Sequence, residues 1–296
     1  MSIDSTWLRC PNCFLDLSPI DDRVFGCGSG HRFDRSKHGY LTLLPPGAPR
    51  TIGDDPEMLR ARAELLGSGA YAPISDALVE AVRSVAKDAP GSPFPGGSGS
   101  SLRIADLGCG TGHYSAELAR ALPELQFLLA DRSPDAVRAS LRALGDATGI
   151  VLDIWRPLPL RTDSVDIILN VFAPRNLEEF ARVIRPGGSI LSVVPTERHL
   201  QELRRDGLVL DIPSGKSSRL IEQLGDAGLT LHSTAAVEYS LQSDAATRLR
   251  LAEMGPSAHH VETLALHAAG ARVNIEPLDP VTVSVELLSI THVTPT

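Results

Sequence analysis

At 296 residues, 43% of them hydrophobic, the chain is long enough to bury a sizeable core and is expected to form more than one domain. Its formal net charge of −8 excludes a protein coated in basic charge, although a local basic groove can coexist with an acidic total. Four cysteines, three of them between residues 10 and 27, do not make a secreted disulfide scaffold, the opening MSIDSTWLRC has no signal-peptide core, and no run approaches the roughly 18 apolar residues of a membrane span, so a soluble cytoplasmic protein is expected.

The first feature along the chain is CPNC, followed by CGSGH. Cys10 and Cys13 form one tight knuckle, and Cys27 and His31 a second. Zn²⁺ takes four such soft or borderline ligands in a tetrahedron, and four protein ligands leave no open position, so the predicted ion is structural. Gly26, Gly28 and Gly30 surround the second knuckle, where the backbone must bend back toward a metal. The GYLTLL run reads as a short strand ended by Pro45, Pro46 and Gly47. DDPEMLRARAELL has a capping acid, an early proline and helical spacing, and ISDALVEAVRSVAK reads as a second amphipathic helix. DAPGSPFPGGSGSS has almost nothing to bury and reads as a linker.

Beyond the linker, strands and helices alternate. LRIADL, QFLLAD, GIVLD, SVDIILNVF and GSILSVV read as strands; HYSAELARAL, PDAVRASLRAL and LEEFARVI read as helices. This rhythm predicts a doubly wound α/β fold with a mostly parallel sheet. The stretch from about Ser214 to His267 reads as mostly helical, and VTVSVELLSITHV as a long antiparallel strand.

The first of these strands runs into Asp106, Gly108, Cys109, Gly110, Thr111, Gly112 and His113. Alternate glycines let the backbone approach a ligand, but the pattern is D-x-G-x-G-x-G rather than the dinucleotide G-x-G-x-x-G. S-adenosylmethionine carries a sulfonium and an ammonium group and no phosphate, so its site needs acceptors and carboxylates. Asp131 ends the second strand, where it can accept from both ribose hydroxyls. Asp153 follows the third, where it can accept from the adenine amino group. Each acid alone could be a helix cap; three at successive strand ends, with the glycines, form a constellation.

DLGCGTG, LLADRS, DIWRPLPL and VIRPGG resemble the successive motifs of class I S-adenosylmethionine-dependent methyltransferases. The whole chain resembles one family among them, the RlmA family of 23S rRNA (guanine-N1)-methyltransferases, and especially its actinobacterial branch associated with tylosin resistance. The similarity is carried by LRCPNC, CGSGHRFDRSKHGYLTLL, RARAELLGSGAYAPI, LNVFAPRN, RHLQEL and MGPS. It implies a zinc-ribbon RNA-binding domain at residues 1–48, a helical connector and linker at 49–101, and a methyltransferase domain at 102–296. It implies that Cys10, Cys13, Cys27 and His31 hold structural zinc. It further implies that Tyr71, His199 and the loop of Gly110, Thr111, Gly112 and His113 meet S-adenosylmethionine, and that Cys109 is a small loop residue with no nucleophilic role. Family members are dimers, so a homodimer is expected.

The reaction implied is methylation of a guanine-N1 in a 23S rRNA hairpin loop of the macrolide-binding tunnel region, on naked rRNA or an assembling ribosomal particle. Guanine-N1 must lose a proton to become nucleophilic, and the base must be accessible. Asn170, Phe172 and Arg175, in NVFAPRN after the fourth strand, are the candidates to bond the base edge, stack on it and neutralise charge. Arg32, Arg35, Lys37, His38 and Arg50, interleaved with Phe33 and Tyr40, suggest an RNA surface facing the catalytic cleft. Two rivals stand beside this reading. A small-molecule methyltransferase would have little need of the zinc segment. A zinc-dependent nucleic-acid-binding protein with a degenerate cofactor site would not need Asp106, Gly108, Gly110, Asp131 and Asp153 intact.

Overall fold

The computed structural model describes residues 3–48, 53–88, 101–213, 215–255 and 279–292. The predicted linker lies almost wholly outside them, as does Arg50. An eight-stranded sheet organises the molecule. In chain order its strands are β4 (Tyr40–Thr42), β5 (Arg103–Leu107), β6 (Gln126–Asp131), β7 (Thr148–Val151), β8 (Val165–Val171), β9 (Ile184–Pro195), β10 (Leu229–Ser243) and β11 (Asp279–His292). Their spatial order is β10-β11-β9-β8-β5-β6-β7-β4. β11 pairs antiparallel with both β9 and β10; the pairs among the other strands are parallel. The order reverses between β5 and β8, so the carboxyl ends of β5, β6 and β8 flank one crevice, where open α/β sheets bind ligands.

Local chemistry places the helices. α1 (Pro56–Gly67) begins at Asp55, whose carboxylate accepts from the Glu57 and Met58 amides, with proline at the first helical position. α2 (Ala72–Asp88) follows directly after Tyr71. α3 (His113–Ala121) connects β5 to β6, and α4 (Pro134–Leu144) connects β6 to β7. The α4 cap is Ser133, and Gly145 at φ +82° ends the helix. α5 (Leu177–Val183) is capped by Asn176; α6 (Gln201–Arg205), α7 (Lys216–Leu224) and α8 (Ala245–Glu253) complete the helices used below. Leu78 and Val82 of α2, Leu118 of α3 and Val137 and Leu141 of α4 fill a core on one face of the sheet. Phe180 of α5 and Leu220 and Leu224 of α7 fill the other. No helix among the described residues is long and apolar enough to cross a membrane.

The segment expected to be helical from about Ser214 to His267 contains the 15-residue strand β10, correcting that part of the expectation. β10 is the outermost strand on its side; Val237, Tyr239 and Leu241 alternate toward the core, while His232–Ala236 are exposed and interrupt the period-two pattern.

The N-terminal segment is built from β1 (Ser18–Pro19), β2 (Val24–Gly26) and β3 (Arg32–Asp34), a small antiparallel sheet. It does not stand apart. β4 joins the large sheet as its other edge, Tyr40 opposite Gly149 and Thr42 opposite Val151. The β7–β8 connection has no helix, and Trp7, Leu8, Leu17 and Phe25 fill the second core there. Leu8 bridges Leu160, and the Arg103 guanidinium lies 3.9 Å from the Trp7 ring centroid.

Candidate functional site

In the N-terminal segment the Cys10, Cys13 and Cys27 thiols and the His31 imidazole bring one ligand atom each to within 4.8 Å of all the others. Cys13 Sγ lies 3.5 Å from Cys27 Sγ, and His31 Nδ1 lies 3.4 Å from Cys27 Sγ and 3.6 Å from Cys10 Sγ. A zinc tetrahedron with bonds of about 2.0–2.3 Å has edges of roughly 3.5–3.8 Å, so the donor set fits the ion. The knuckles are shaped for it. The Asn12 amide donates to Cys10 Sγ, and a Cβ on Gly26 would sit 3.2 Å from the His31 carbonyl. A hydrogen bond from the Leu15 backbone amide draws the Cys13 thiol down to about 6, toward the thiolate a metal requires, while burial pushes Cys10 up to about 11.

The second cluster occupies the crevice. Gly108, Gly110 and Gly112 all have positive φ, +99°, +51° and +75°. A Cβ at Gly108 would lie 2.4 Å from the Ala173 Cβ, and one at Gly112 2.7 Å from the Ser140 Cα. The loop is therefore glycine both for conformation and for close approach. Cys109 is buried with its sulfur 3.3 Å from Ser140 Oγ, and burial pushes its thiol well up, which suits a packing residue. Thr111 is half-buried on the turn, and His113 opens α3 with Nε2 3.3 Å from Ser75 Oγ.

The acids divide their work. Asp106 is buried beneath the loop and accepts from Ser115 Oγ at 2.6 Å. Burial pushes its carboxyl up to about 7 despite that bond. Asp131 accepts from the Gly110 amide at 3.0 Å and the Ser133 amide at 2.9 Å, one on each oxygen, which ties the strand end to the glycine loop and leaves further lone pairs. Asp153 sits beside it, accepting from the Trp155 amide at 3.1 Å and 3.5 Å from the Arg132 guanidinium. These carboxylates and the glycine cradle fit a cationic, hydroxyl-bearing cofactor such as S-adenosylmethionine.

Across the crevice Tyr71, Phe172 and His199 form an aromatic group brought from three distant segments. The Phe172 and His199 rings stack with centroids 5.8 Å apart, and Tyr71 is 6.2 Å from each. Phe172 has φ +52°, a conformation bulky residues rarely adopt, and is 40% exposed. His199 is buried; the Ser284 amide donates to its Nδ1 at 3.3 Å, and burial lowers its pKa to about 4. It is therefore neutral with its proton on Nε2, 3.5 Å from the Tyr71 hydroxyl. That tautomer can donate but cannot take up a proton at Nε2.

Asn170, expected to touch a base, is fully buried. Its amide donates to the carbonyls of Leu107 at 3.1 Å and Pro174 at 2.9 Å, and its oxygen accepts from Ser192 Oγ. It braces the loop that carries Phe172. Arg175, half-buried on the same loop, reaches Ser192 Oγ at 3.5 Å and has no ion pair among the described residues.

Three contributors were given no role in the sequence reading. Arg62 of α1 pairs with Asp54, bonds the Met254 carbonyl, and lies where a Gly110 Cβ would be 3.1 Å from it. Trp155, 67% exposed, sits at the crevice rim, its turn tied to the Phe172 loop through the Asn176 amide on the Ile154 carbonyl. Ser284 sets the His199 tautomer. RARAELL, already singled out, is the stretch that could have pointed to Arg62. The basic hairpin of Arg35, Lys37 and His38 does not face this crevice. It leads into Tyr40, opposite Gly149 near the amino end of β7, whereas the crevice lies at the carboxyl ends.

A family model described as "Methyltransferase domain" matches residues 104–188, and one described as "RlmA, N-terminal", a zinc ribbon, matches residues 8–48. The chain is 37% identical over 258 residues to the 23S rRNA (guanine(748)-N(1))-methyltransferase of Streptomyces fradiae, covering 86% of each chain. It is 38% identical over 289 residues, 94% of each chain, to a candidate 23S rRNA (guanine-N(1)-)-methyltransferase of Micromonospora griseorubida. Among solved structures, a candidate sarcosine dimethylglycine methyltransferase from Galdieria sulphuraria aligns with TM-score 0.50 at 14% identity, covering 80% of this chain and 98% of its own, which speaks for the fold alone.

Proposed function

The chain belongs to the RlmA-type 23S rRNA (guanine-N1)-methyltransferases, and from that premise we propose that it methylates N1 of a guanine in a hairpin loop of the macrolide-binding tunnel region, lowering sensitivity to tylosin-like drugs. The observation that carries the reading is similarity to two relatives over most of both chains, the zinc segment included. S-adenosylmethionine, when bound, supplies an electrophilic methyl group on a good leaving group.

The protein's part is alignment and exclusion of water. Asp131 and Asp153 would accept from the ribose and adenine portions of the cofactor, and the Gly108–Gly112 backbone would hold its methionine portion. Phe172, held outward by its left-handed backbone, stacks on the extruded guanine. Arg175 faces the oxygen beside N1 and stabilises the anion left when N1 loses its proton; the His199 Nε2–H donates within the same pocket. Neither Asp106, buried under the loop, nor His199 can serve as base in this arrangement, so the proton leaves to water. Asn170 is a positioning residue. The substrate, naked rRNA or an assembling particle, is met in the cytoplasm, and the enzyme works as a homodimer.

Reverse-transcriptase extension across 23S rRNA tests this. N1 methylation blocks base pairing, so RNA treated with protein and S-adenosylmethionine gives one new stop in the tunnel-region hairpin, and cells carrying the gene tolerate more tylosin. Cofactor binding without any new stop refutes the reading.

A further inference from the structure

One cationic surface has no part in the crevice. At the β4 edge the hairpin residues Arg35, Lys37, His38 and Gly39 meet Arg138, Leu141 and Arg142 of α4 around an open groove of 370 Å³. Two segments a hundred residues apart in the chain thus bring four permanent cations and a histidine together. Asp135, one turn along α4, is paired with Arg138 at 2.7 Å. The helix dipole accounts for Arg142 in the last turn of α4, but not for Arg35 and Lys37 brought against it. Like charges assembled this way repel; consistent with that, His38 is held below its ordinary value first by burial and then by Lys37, Arg138 and Arg142, with Asp135 opposing. In a chain of net charge −8, this concentration runs against the average.

The register fixes where the groove lies. The hairpin leads into Tyr40, opposite Gly149, while Asp153 marks the crevice four residues further along the same strand direction. With the hairpin tip one residue lower still, the offset is about five residues, ~17 Å at the rise of a strand. β4 is the outermost strand on this side, so among the described residues no further strand covers the groove. The hairpin's position depends on the segment that the Cys10, Cys13, Cys27 and His31 cluster folds.

We propose that this groove is a docking site for the sugar–phosphate backbone of the RNA substrate, in the helical stem below the target loop, with Lys37, Arg138 and Arg142 each contacting a phosphate. The proposal rests on the rRNA methyltransferase reading. A polyanion is the occupant that an open, concave, multiply cationic surface fits, and phosphate contacts set register without reading sequence. The zinc-folded segment therefore recognises RNA remotely from the reaction, and the substrate must include the stem as well as the loop.

The test uses the full-length, zinc-loaded protein with two RNA fragments, the hairpin with its stem and the loop with a minimal closing stem. The variants are Arg138→Ala/Arg142→Ala and, separately, Lys37→Ala. For the long fragment the double variant should bind about tenfold more weakly near physiological salt, with log Kd against log salt shallower by about 1.5. KM for that RNA should rise in parallel, while the S-adenosylmethionine Kd stays within twofold of wild type. The short fragment should not respond to either substitution. Unchanged long-fragment affinity and salt slope in both variants, with wild type still methylating it, overturn the groove and leave the function standing. Loss of methylation confined to an assembling particle, with naked-RNA binding intact, also overturns it and points to an acidic protein partner. A wild-type protein that binds S-adenosylmethionine but neither binds nor methylates either RNA overturns the function itself.

Discussion

Replacing Asp106 with Asn separates the cost of a buried carboxylate from its use. Asp106 has its side chain beneath the glycine loop with Ser115 Oγ as its hydrogen-bond donor, and burial lifts it from 3.8 to about 7. The folded-state value lies above the unfolded one, so the fold prefers the protonated form. The stability this confers is fully present below about pH 4 and is lost as pH rises through 7. Integrated over that interval, the loss is on the order of 4 kcal/mol. Asn at this position keeps an oxygen for Ser115 and cannot ionise. In urea unfolding at pH 5, 6, 7 and 8 the wild type should lose stability steadily relative to Asp106→Asn, with a gap of about 2–4 kcal/mol opening by pH 8. The function runs the other way. A cationic cofactor favours the ionised carboxylate, so wild-type affinity for S-adenosylmethionine should fall toward tenfold per pH unit below 7, and the variant should bind weakly at every pH. Parallel unfolding profiles for the two proteins would refute this reasoning.

Other perturbations have equally definite outcomes. Gly108→Ala forces a Cβ against Ala173 at positive φ; it should cost about 2–4 kcal/mol and abolish cofactor binding, read by thermal unfolding and titration. Phe172→Gly removes left-handed strain of about 1 kcal/mol, so stability should stay near wild type while methylation falls at least about a hundredfold in a single-turnover assay. Asn170→Ala orphans the buried Leu107 carbonyl and releases the Pro174 carbonyl of the loop; it should cost about 1–3 kcal/mol, with a larger loss in kcat than in cofactor affinity. Chelation of zinc, or Cys10→Ser with Cys13→Ser, should lower one cooperative unfolding transition of the whole chain rather than melt a separate small one, because Trp7, Leu8 and Leu41 share a core with the sheet.

The readable parts of this protein are those where local chemistry and tertiary demand agree. α4 is bounded by a serine cap, a first-position proline and a terminal glycine, all visible in SPDAVRASLRALG. The metal cluster is equally plain, because ligand spacing within a knuckle is a local quantity. β10 was missed although VEYSLQ alternates, with Val237, Tyr239 and Leu241 half-buried against the core and Glu238, Ser240 and Gln242 exposed; the polar, exposed HSTAA stretch before it cuts the pattern of this edge strand down to a short signal. The target-loop residues show a different limit. Asn170 and Phe172 are two apart, so strand periodicity assigns them one face; the positive φ at Phe172 breaks the alternation, turning one outward and leaving the other as an internal brace. Arg62 reaches Gly110 from a helix nearly fifty residues earlier, and no spacing rule links them. The basic hairpin was found as a run of charges, but its distance from the crevice depends on strand register alone.

The place of β4 at the sheet edge also sets a timetable. Tyr40 pairs with Gly149, and Leu8 with Leu160. On a ribosome adding roughly 5–20 residues per second, more than a hundred residues separate the birth of each of these segments from that of its partner, a wait on the order of 5–30 s. During that interval the core that takes Trp7, Leu8 and Leu41 lacks Ile150, Leu158 and Leu160. The metal cluster needs only residues 10–31, all of which emerge early. An ion captured at that point would hold the amino-terminal chain in a compact form until its partners are made. Nascent chains deprived of zinc should then be most vulnerable to proteases and aggregation before residue 160 leaves the exit tunnel.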